Sequence, residues 1–164
     1  MLVYRIAGTR HIRDLTGIGA RLYGGRWNHR GTALFYASES RSLATVEYLV
    51  HLSMPEVPAG LSIATLEIPD DIRSGEIRPS SLPKNWREHP APAALAELGT
   101  RWARANRGLL LRVPSAVVEE EFNVLINPAH PDMARVAIVQ VERYRMNSRL
   151  AASRPSRGPI SRKT

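Results

Sequence analysis

The sequence predicts an α+β fold: a single domain of mixed and antiparallel strands with a few helices. In the second half of the chain, apolar strand-like runs follow one another without helices between most of them, which disfavours alternating βαβ units. Only two segments carry clear helical periodicity. No G-x-G-x-x-G lies between a strand and a helix, so a doubly wound dinucleotide fold has no anchor.

Leu2 to Ile6 is the first expected strand, and a basic loop containing Gly8, Gly17, Gly19, Gly24 and Gly25 follows it. Glycines there let backbone amides come close to a ligand. Ala33 to Ala37 is the second strand. Ser38 or Ser40 then caps a helix running to about Leu52, in which Leu43, Val46 and Val50 recur at helical spacing. Leu61 to Ile68 is a third strand closed by Pro69-Asp70-Asp71, and a shorter extended piece ends at Ile77-Arg78-Pro79. Pro79, Pro83, Pro90 and Pro92 keep the next stretch irregular, because proline removes a backbone donor and fixes φ. The second helix, Ala93 to Asn106, begins after a proline, ends before Gly108 and gathers Leu95, Leu98 and Trp102 on one side. Leu109 to Val113, Phe122 to Ile126 and Val136 to Tyr144 are short apolar runs bounded by Pro and Asn, and complete the strands.

At 164 residues, 43% of them hydrophobic, the chain suits one domain with a buried core. Its formal charge of +8 is unevenly placed: seven of the 23 basic residues, from Arg143 to Lys163, lie at the C-terminal end, leaving 16 to face 15 acids in the body. The expected division is a domain over 1–145 and a basic, disordered tail over 146–164, rich in Ser, Pro, Arg and Gly and poor in anything to bury. The absence of cysteine excludes a disulfide framework, a thiolate zinc site and a cysteine nucleophile. With no signal-peptide core and no run near the ~20 apolar residues of a membrane span, a cytoplasmic protein is expected. No two of His11, His29, His51, His89 and His130 stand at i, i+4 on one helix, so no metal site is expected. His51 does fall four residues after Glu47 and is placed to pair with it.

Two distant stretches carry the chemistry. Gly24-Gly25-Arg26-Trp27-Asn28 leads through the Tyr36 strand to the helix bearing Glu47; Val113-Pro114-Ser115-Ala116-Val117 is followed by Asn123-Val124-Leu125-Ile126-Asn127-Pro128-Ala129-His130-Pro131. An Arg, a Tyr, a Glu and a Ser near element ends suit a site that grips a phosphorylated, ribose-bearing small molecule such as NAD. Arg26 follows two glycines, so its planar fork and their amides can meet one pyrophosphate; the alternative is a surface Arg stacked on Trp27. Glu47 shares a helix face with Leu43 and Val50, where an acid is costly unless paired or working; the alternative is a rim salt bridge to an arginine. Tyr36 can stack on a flat ring with its hydroxyl free to hydrogen-bond, or pack in the core. The Ser115 hydroxyl can meet a phosphate or a ribose, or belong to a plain turn; no G-x-S-x-G surrounds it, so it is not read as a nucleophile. Arg5 and Asn123 are expected to support the cleft from neighbouring strands, with Gly25, Trp27 and Asn28 lining it. Glu119-Glu120-Glu121 is a rival acid cluster, although such runs are most often solvated.

In order and spacing these residues resemble the RES domain, the toxin half of the RES/Xre type II toxin-antitoxin modules, named for an Arg, a Glu and a Ser: here Arg26, Glu47 and Ser115. The likeness runs from about Val3 to about Tyr144. It implies a fold similar to the diphtheria-toxin type of ADP-ribosyltransferase, and an enzyme for which NAD is the substrate, with no further cofactor. The implied reaction breaks the nicotinamide-ribose bond, either as a glycohydrolase or phosphorylase that depletes NAD and arrests growth, or as an ADP-ribosyltransferase acting on a protein. In that reading Arg26, Tyr36 and Glu47 are catalytic. Arg26 anchors the dinucleotide, Tyr36 positions nicotinamide, and Glu47 hydrogen-bonds the ribose 2′-hydroxyl and stabilises the oxocarbenium-like charge. Ser115, Arg5, Gly25, Trp27, Asn28 and Asn123 bind the substrate. The RES pattern puts its acid on the early helix, which ranks Glu47 ahead of the triple-Glu run. The resemblance also implies a cognate Xre-type antitoxin that carries the helix-turn-helix and the DNA contacts, and a homodimer within the complex, with no DNA or membrane contact by this chain. Two other readings stay open. One is a nucleic-acid-binding module or ribonuclease using the basic tail and N-terminal loop, whose binding weakens steeply with salt; the other is a catalytically dead relative that only binds a partner.

Overall fold

In the computed structural model, which describes residues 1–52 and 59–151, the apolar runs become seven strands. They are β1 (Leu2–Gly8), β2 (Phe35–Ser38), β3 (Leu61–Glu67), β4 (Ser74–Glu76), β5 (Leu110–Pro114), β6 (Phe122–Ile126) and β7 (Ala137–Tyr144). All join one mixed sheet in the order β4-β5-β6-β2-β1-β3-β7, in which β4 and β5 run parallel and the other neighbours antiparallel. The α+β class expected from the sequence is the class observed.

The register explains where a cleft opens. β1 lies along β3 from Leu2↔Glu67 to Gly8↔Leu61, and β2 lies along β6 from Phe35↔Ile126 to Ser38↔Asn123. Between these halves, β1 and β2 meet at one pair, Tyr4↔Ser38. The sheet is therefore two half-sheets hinged at that pair, and the edges of β1 and β2 part beyond it.

Helices α1 (Ile18–Tyr23), α2 (Arg41–Val50), α3 (Ala93–Ala105) and α4 (Ser148–Ala151) are joined by 3-10 turns at Pro79–Ser81 and Pro131–Arg135. Of the two possible caps for α2, Ser40 acts: its side chain accepts the Leu43 amide at 3.0 Å. The expected stripe of α2 needs one correction. Leu43 and Ala44 are buried, Ala44 against Ile6, Leu61 and Ile63, whereas Val50 is 53% exposed. The first turns of α2 rest on the sheet and the last one overhangs the cleft, where Val50 becomes rim. α1 was hidden in the glycine-rich loop because six residues are too few to show periodicity. α3 ends as expected, at Asn106 in the left-handed region (φ 49).

The sheet buries both faces, with the alternation a strand imposes. Phe35, Ala37, Val124 and Ile126 pack with Val3, Ala64 and Leu66 on one side. Leu111, Val113 and Leu125 pack on the other with Trp27, Leu34 and Leu95 of α3. Of the basic tail, residues 152–164 lie outside the described residues, and 148–151 form α4. No helix among the described residues is long and apolar enough to cross a membrane.

Candidate active site

Glu47 stands on α2 above the point where the half-sheets part. Its Oε1 accepts two hydrogen bonds, from Ser115 Oγ at 2.7 Å and from Asn123 Nδ2 at 2.5 Å. Both donors flank the β5–β6 turn, so the carboxylate of an early helix is held by a late hairpin. Asn123 is itself oriented, because its Oδ1 accepts the Ser38 hydroxyl at 2.7 Å. Oε2 has no hydrogen-bond partner among the described residues, and no buried side-chain polar atom there lacks one, so Oε2 reaches open space. The anchored oxygen fixes the carboxylate, and the other faces the cleft.

Ser115 is 1% exposed, and its hydroxyl also accepts the amides of Val117 (3.1 Å) and Val118 (3.0 Å). With a donor and two acceptor positions used, it sits behind Glu47 and aims it. Ala116 and Val117, its neighbours, form cleft wall instead.

Tyr36 projects from β2 into the same space. The expectation of a free hydroxyl is corrected: it donates to Asn28 Oδ1 at 2.7 Å and accepts the Trp27 amide at 3.1 Å. Burial pushes its pKa well above the ordinary tyrosine value, against smaller opposing effects from that amide and from Arg26. Asn28, 1% exposed, also donates to the carbonyls of Ala20 (2.8 Å), His29 (3.1 Å) and Thr32 (2.9 Å), so it ties the glycine-rich loop to Tyr36. Gly25 is required by close approach: a Cβ there would lie 2.8 Å from the Tyr36 hydroxyl. Trp27 is 2% exposed and its indole belongs to the core under α3, so an Arg26–Trp27 surface stack does not form.

Arg26 donates through Nη1 to the Trp86 carbonyl (2.6 Å) and through Nη2 to the Glu88 carbonyl (3.2 Å). Burial lowers its pKa, and the Glu47 carboxylate and then Tyr36 raise it again, which puts the three side chains in one electrostatic neighbourhood. An arginine so placed keeps its charge. Arg5 stacks its guanidinium over Phe35, 4.5 Å from the ring centroid, and reaches the Asp14 carbonyl at 3.5 Å; burial lowers its pKa, with Asp14 opposing.

These groups border a cleft of two lobes, about 230 and 650 Å³. Arg5, Tyr36, Glu47, His51 and Asn123 belong to both walls. The narrow lobe adds Tyr4, Ser38 and Tyr48; the wide one adds Arg26, Gly25, Arg87, His89 and Val117. Small-molecule sites of this kind span about 300 to 1,000 Å³. His51 borders the cleft but makes no ion pair with Glu47 among the described residues; the hydrogen bonds to Glu47 Oε1 come from Ser115 and Asn123. The Glu119-Glu120-Glu121 run forms the β5–β6 turn, with Glu120 at φ 62 and Glu119 paired to Arg87. Among the described residues no group of three or more His, Asp or Glu is placed to hold a metal ion. Sequence reasoning missed Tyr4, Ser38, Arg87 and His89, whose roles depend on strand pairing and a proline-rich loop that carry no local signal.

Fold and site together define a class: a small α+β protein whose split sheet presents one anchored carboxylate beside an arginine and a tyrosine in a two-lobed cleft. The chain belongs to the RES domain family, whose model matches residues 2–147. It is 40% identical over 146 residues to the Prs ADP-ribosylating toxin of Sphingobium sp. (strain YBL2), covering 88% of this chain and 91% of that one. Over 131 residues it is 41% identical to Toxin Res of Yersinia enterocolitica, covering 79% and 86% of the two chains. A chain in the crystal structure of the M. tuberculosis MbcT-MbcA toxin-antitoxin complex shares its fold, with a TM-score of 0.67 at 18% identity over 86% of this chain and 82% of that one.

Proposed function

We propose that this chain is the toxin of a toxin-antitoxin pair and that it breaks the nicotinamide-ribose bond of NAD. The observation that carries the reading is Glu47, held through Oε1 by Ser115 and Asn123 with Oε2 turned to a cleft shared by Arg26 and Tyr36. As the bond breaks, nicotinamide leaves with the bonding electron pair, which neutralises its pyridinium ring, so no proton has to be delivered to it. Positive charge develops on the ribose instead. A carboxylate fixed at that position stabilises it without reorganising, and Oε2 accepts the ribose 2′-hydroxyl. Arg26 keeps N–H groups for the diphosphate beyond the two it spends on carbonyls. Because the Tyr36 hydroxyl is engaged, its contribution to the nicotinamide is its ring face. Attack at the ribose carbon by water or phosphate, with loss of a proton, completes glycohydrolysis or phosphorolysis.

A second reading gives the ADP-ribose to a protein. It is favoured by the relative at 40% identity, whose name describes an ADP-ribosylating toxin acting on Prs. For partners, the likeness to Toxin Res and to a chain of a toxin-antitoxin complex supports a cognate antitoxin; the proposal adds that this antitoxin is of Xre type and covers the cleft, that this chain is dimeric inside the complex, and that NAD is its substrate without a further cofactor.

The test is nicotinamide release from NAD by the antitoxin-free protein, with and without phosphate, beside Arg26→Ala and Glu47→Ala. Wild type is expected to release nicotinamide and Glu47→Ala to lose roughly 100-fold or more, the scale of a lost electrostatic stabiliser. Phosphate dependence separates phosphorolysis from hydrolysis. A folded wild type that releases nothing, with phosphate or with a protein acceptor supplied, overturns the reading.

A further inference from the structure

We propose that Arg87 is a diphosphate-binding arginine of the wide lobe, and that Glu119 is the counter-ion which a phosphate oxygen displaces. The inference rests on the reading of the cleft as an NAD site and assigns part of its specificity. Arg26 donates to the carbonyls of Trp86 and Glu88, the residues on either side of Arg87, so the proline-rich loop is clamped to the cleft wall at this point. Arg87 therefore reaches the wide lobe from a fixed backbone. Its Nε donates to the Ala116 carbonyl at 3.4 Å and its guanidinium lies 5.5 Å from the Trp86 ring centroid, which holds the fork's plane. Nη2 has no partner among the described residues.

The other two arginines of this wall are held by uncharged groups, whereas one of Arg87's two partners is an exposed carboxylate. Both terminal nitrogens of Arg26 hold carbonyls, and Arg5 is spread over Phe35 and the Asp14 carbonyl. Arg87 Nη1 is held by Glu119 Oε1 at 2.5 Å, and the Glu119 side chain is 78% exposed. Such a pair is screened by water and exchanges readily. A phosphate offers the same guanidinium two oxygens in one plane, the geometry an arginine fork matches best. Glu119 thus occupies the position of a phosphate oxygen, and its removal costs the protein little. The class of ligand selected is a nucleoside diphosphate ester, and a ligand without phosphate gains nothing from Arg87.

Calorimetric binding of ADP-ribose, with nicotinamide riboside as the phosphate-free reference, tests this without relying on turnover. Arg87→Gln is expected to weaken ADP-ribose by about ten-fold or more, as the loss of a charge-assisted pair does, and to leave the riboside unchanged. Arg87→Lys, which keeps charge but not the fork, falls between. Glu119→Gln, which removes the competitor without touching the arginine, tightens ADP-ribose by about two- to five-fold. ADP-ribose bound equally by wild type, Arg87→Gln and Glu119→Gln overturns the inference while leaving the NAD reading intact. A folded wild type that binds neither ADP-ribose nor NAD overturns both.

Discussion

Tyr36 shows how one side chain serves both stability and site. Its hydroxyl closes the Asn28–Trp27 arrangement, so Tyr36→Phe leaves a buried amide oxygen and a backbone N–H short of a partner. At neutral pH this is expected to cost about 1 to 3 kcal/mol in urea denaturation. The pH dependence follows from the direction of its pKa. Burial raises the folded value above the unfolded one of about 10, so between the two the folded chain binds more protons and stability falls as pH rises, at up to about 1.4 kcal/mol per unit. The stability gap between wild type and Tyr36→Phe is therefore full below about pH 10 and narrows above it; a gap constant from pH 8 to pH 11 would contradict this assignment. Residues of this kind were half legible in the sequence. Arg26, Tyr36 and Glu47 each sit beside a local signal, a glycine pair, a strand end or a helix face, and the fold does bring them together. That Ser115 and Asn123 hold Glu47 was not legible, since 68 and 76 residues separate them from it and only the register of β2 with β6 closes that distance. Trp27 beside Arg26 gave no sign that its ring turns into the core.

Elements were legible where caps and periodicity agreed, as in α3 and in β6, whose bounds Phe122–Ile126 match the expectation. They were illegible where packing decides. Val50 continues the sequence pattern of α2 but not its burial, because the helix outruns the sheet beneath it. Gly99 is the counterpart: inside a helix it reads as a propensity fault of about 1 kcal/mol relative to alanine. In the fold a Cβ at Gly99 would lie 1.9 Å from the Trp27 carbonyl oxygen, so α3 needs glycine to rest on that loop. The obstacle is backbone, which cannot rotate away as a side chain does. Gly99→Ala is therefore expected to destabilise by about 1 to 3 kcal/mol despite its better propensity, as overpacking does. Nicotinamide release should fall with it, because the displaced Trp27 adjoins Arg26. Equal or higher thermal stability in Gly99→Ala would show that α3 does not press on the loop.

At the scale of the whole molecule, the hinge between half-sheets and the distribution of charge bear on function together. A cleft that opens at one strand pair is lined from both halves: Tyr4, Arg5 and Ile6 of β1 face Tyr36 and Ser38 of β2. This concentrates the functional groups within residues 4–123, in a body where 16 basic residues nearly balance 15 acids. Seven of the eight surplus charges come from the segment beyond position 142, which contributes no residue to either lobe among the described residues. If NAD chemistry is the function, ending the chain after Ala151 changes nicotinamide release by less than about two-fold, and release varies little with salt because few counterions are exchanged. A nucleic-acid-binding function predicts the opposite: affinity for RNA or DNA that falls steeply between 50 and 200 mM salt and drops further on truncation, as each lost phosphate contact lowers the salt slope by about one. Running both assays on the full and shortened chains at two salt concentrations separates the readings, because one locates the activity in the split sheet and the other in the charge that lies outside it.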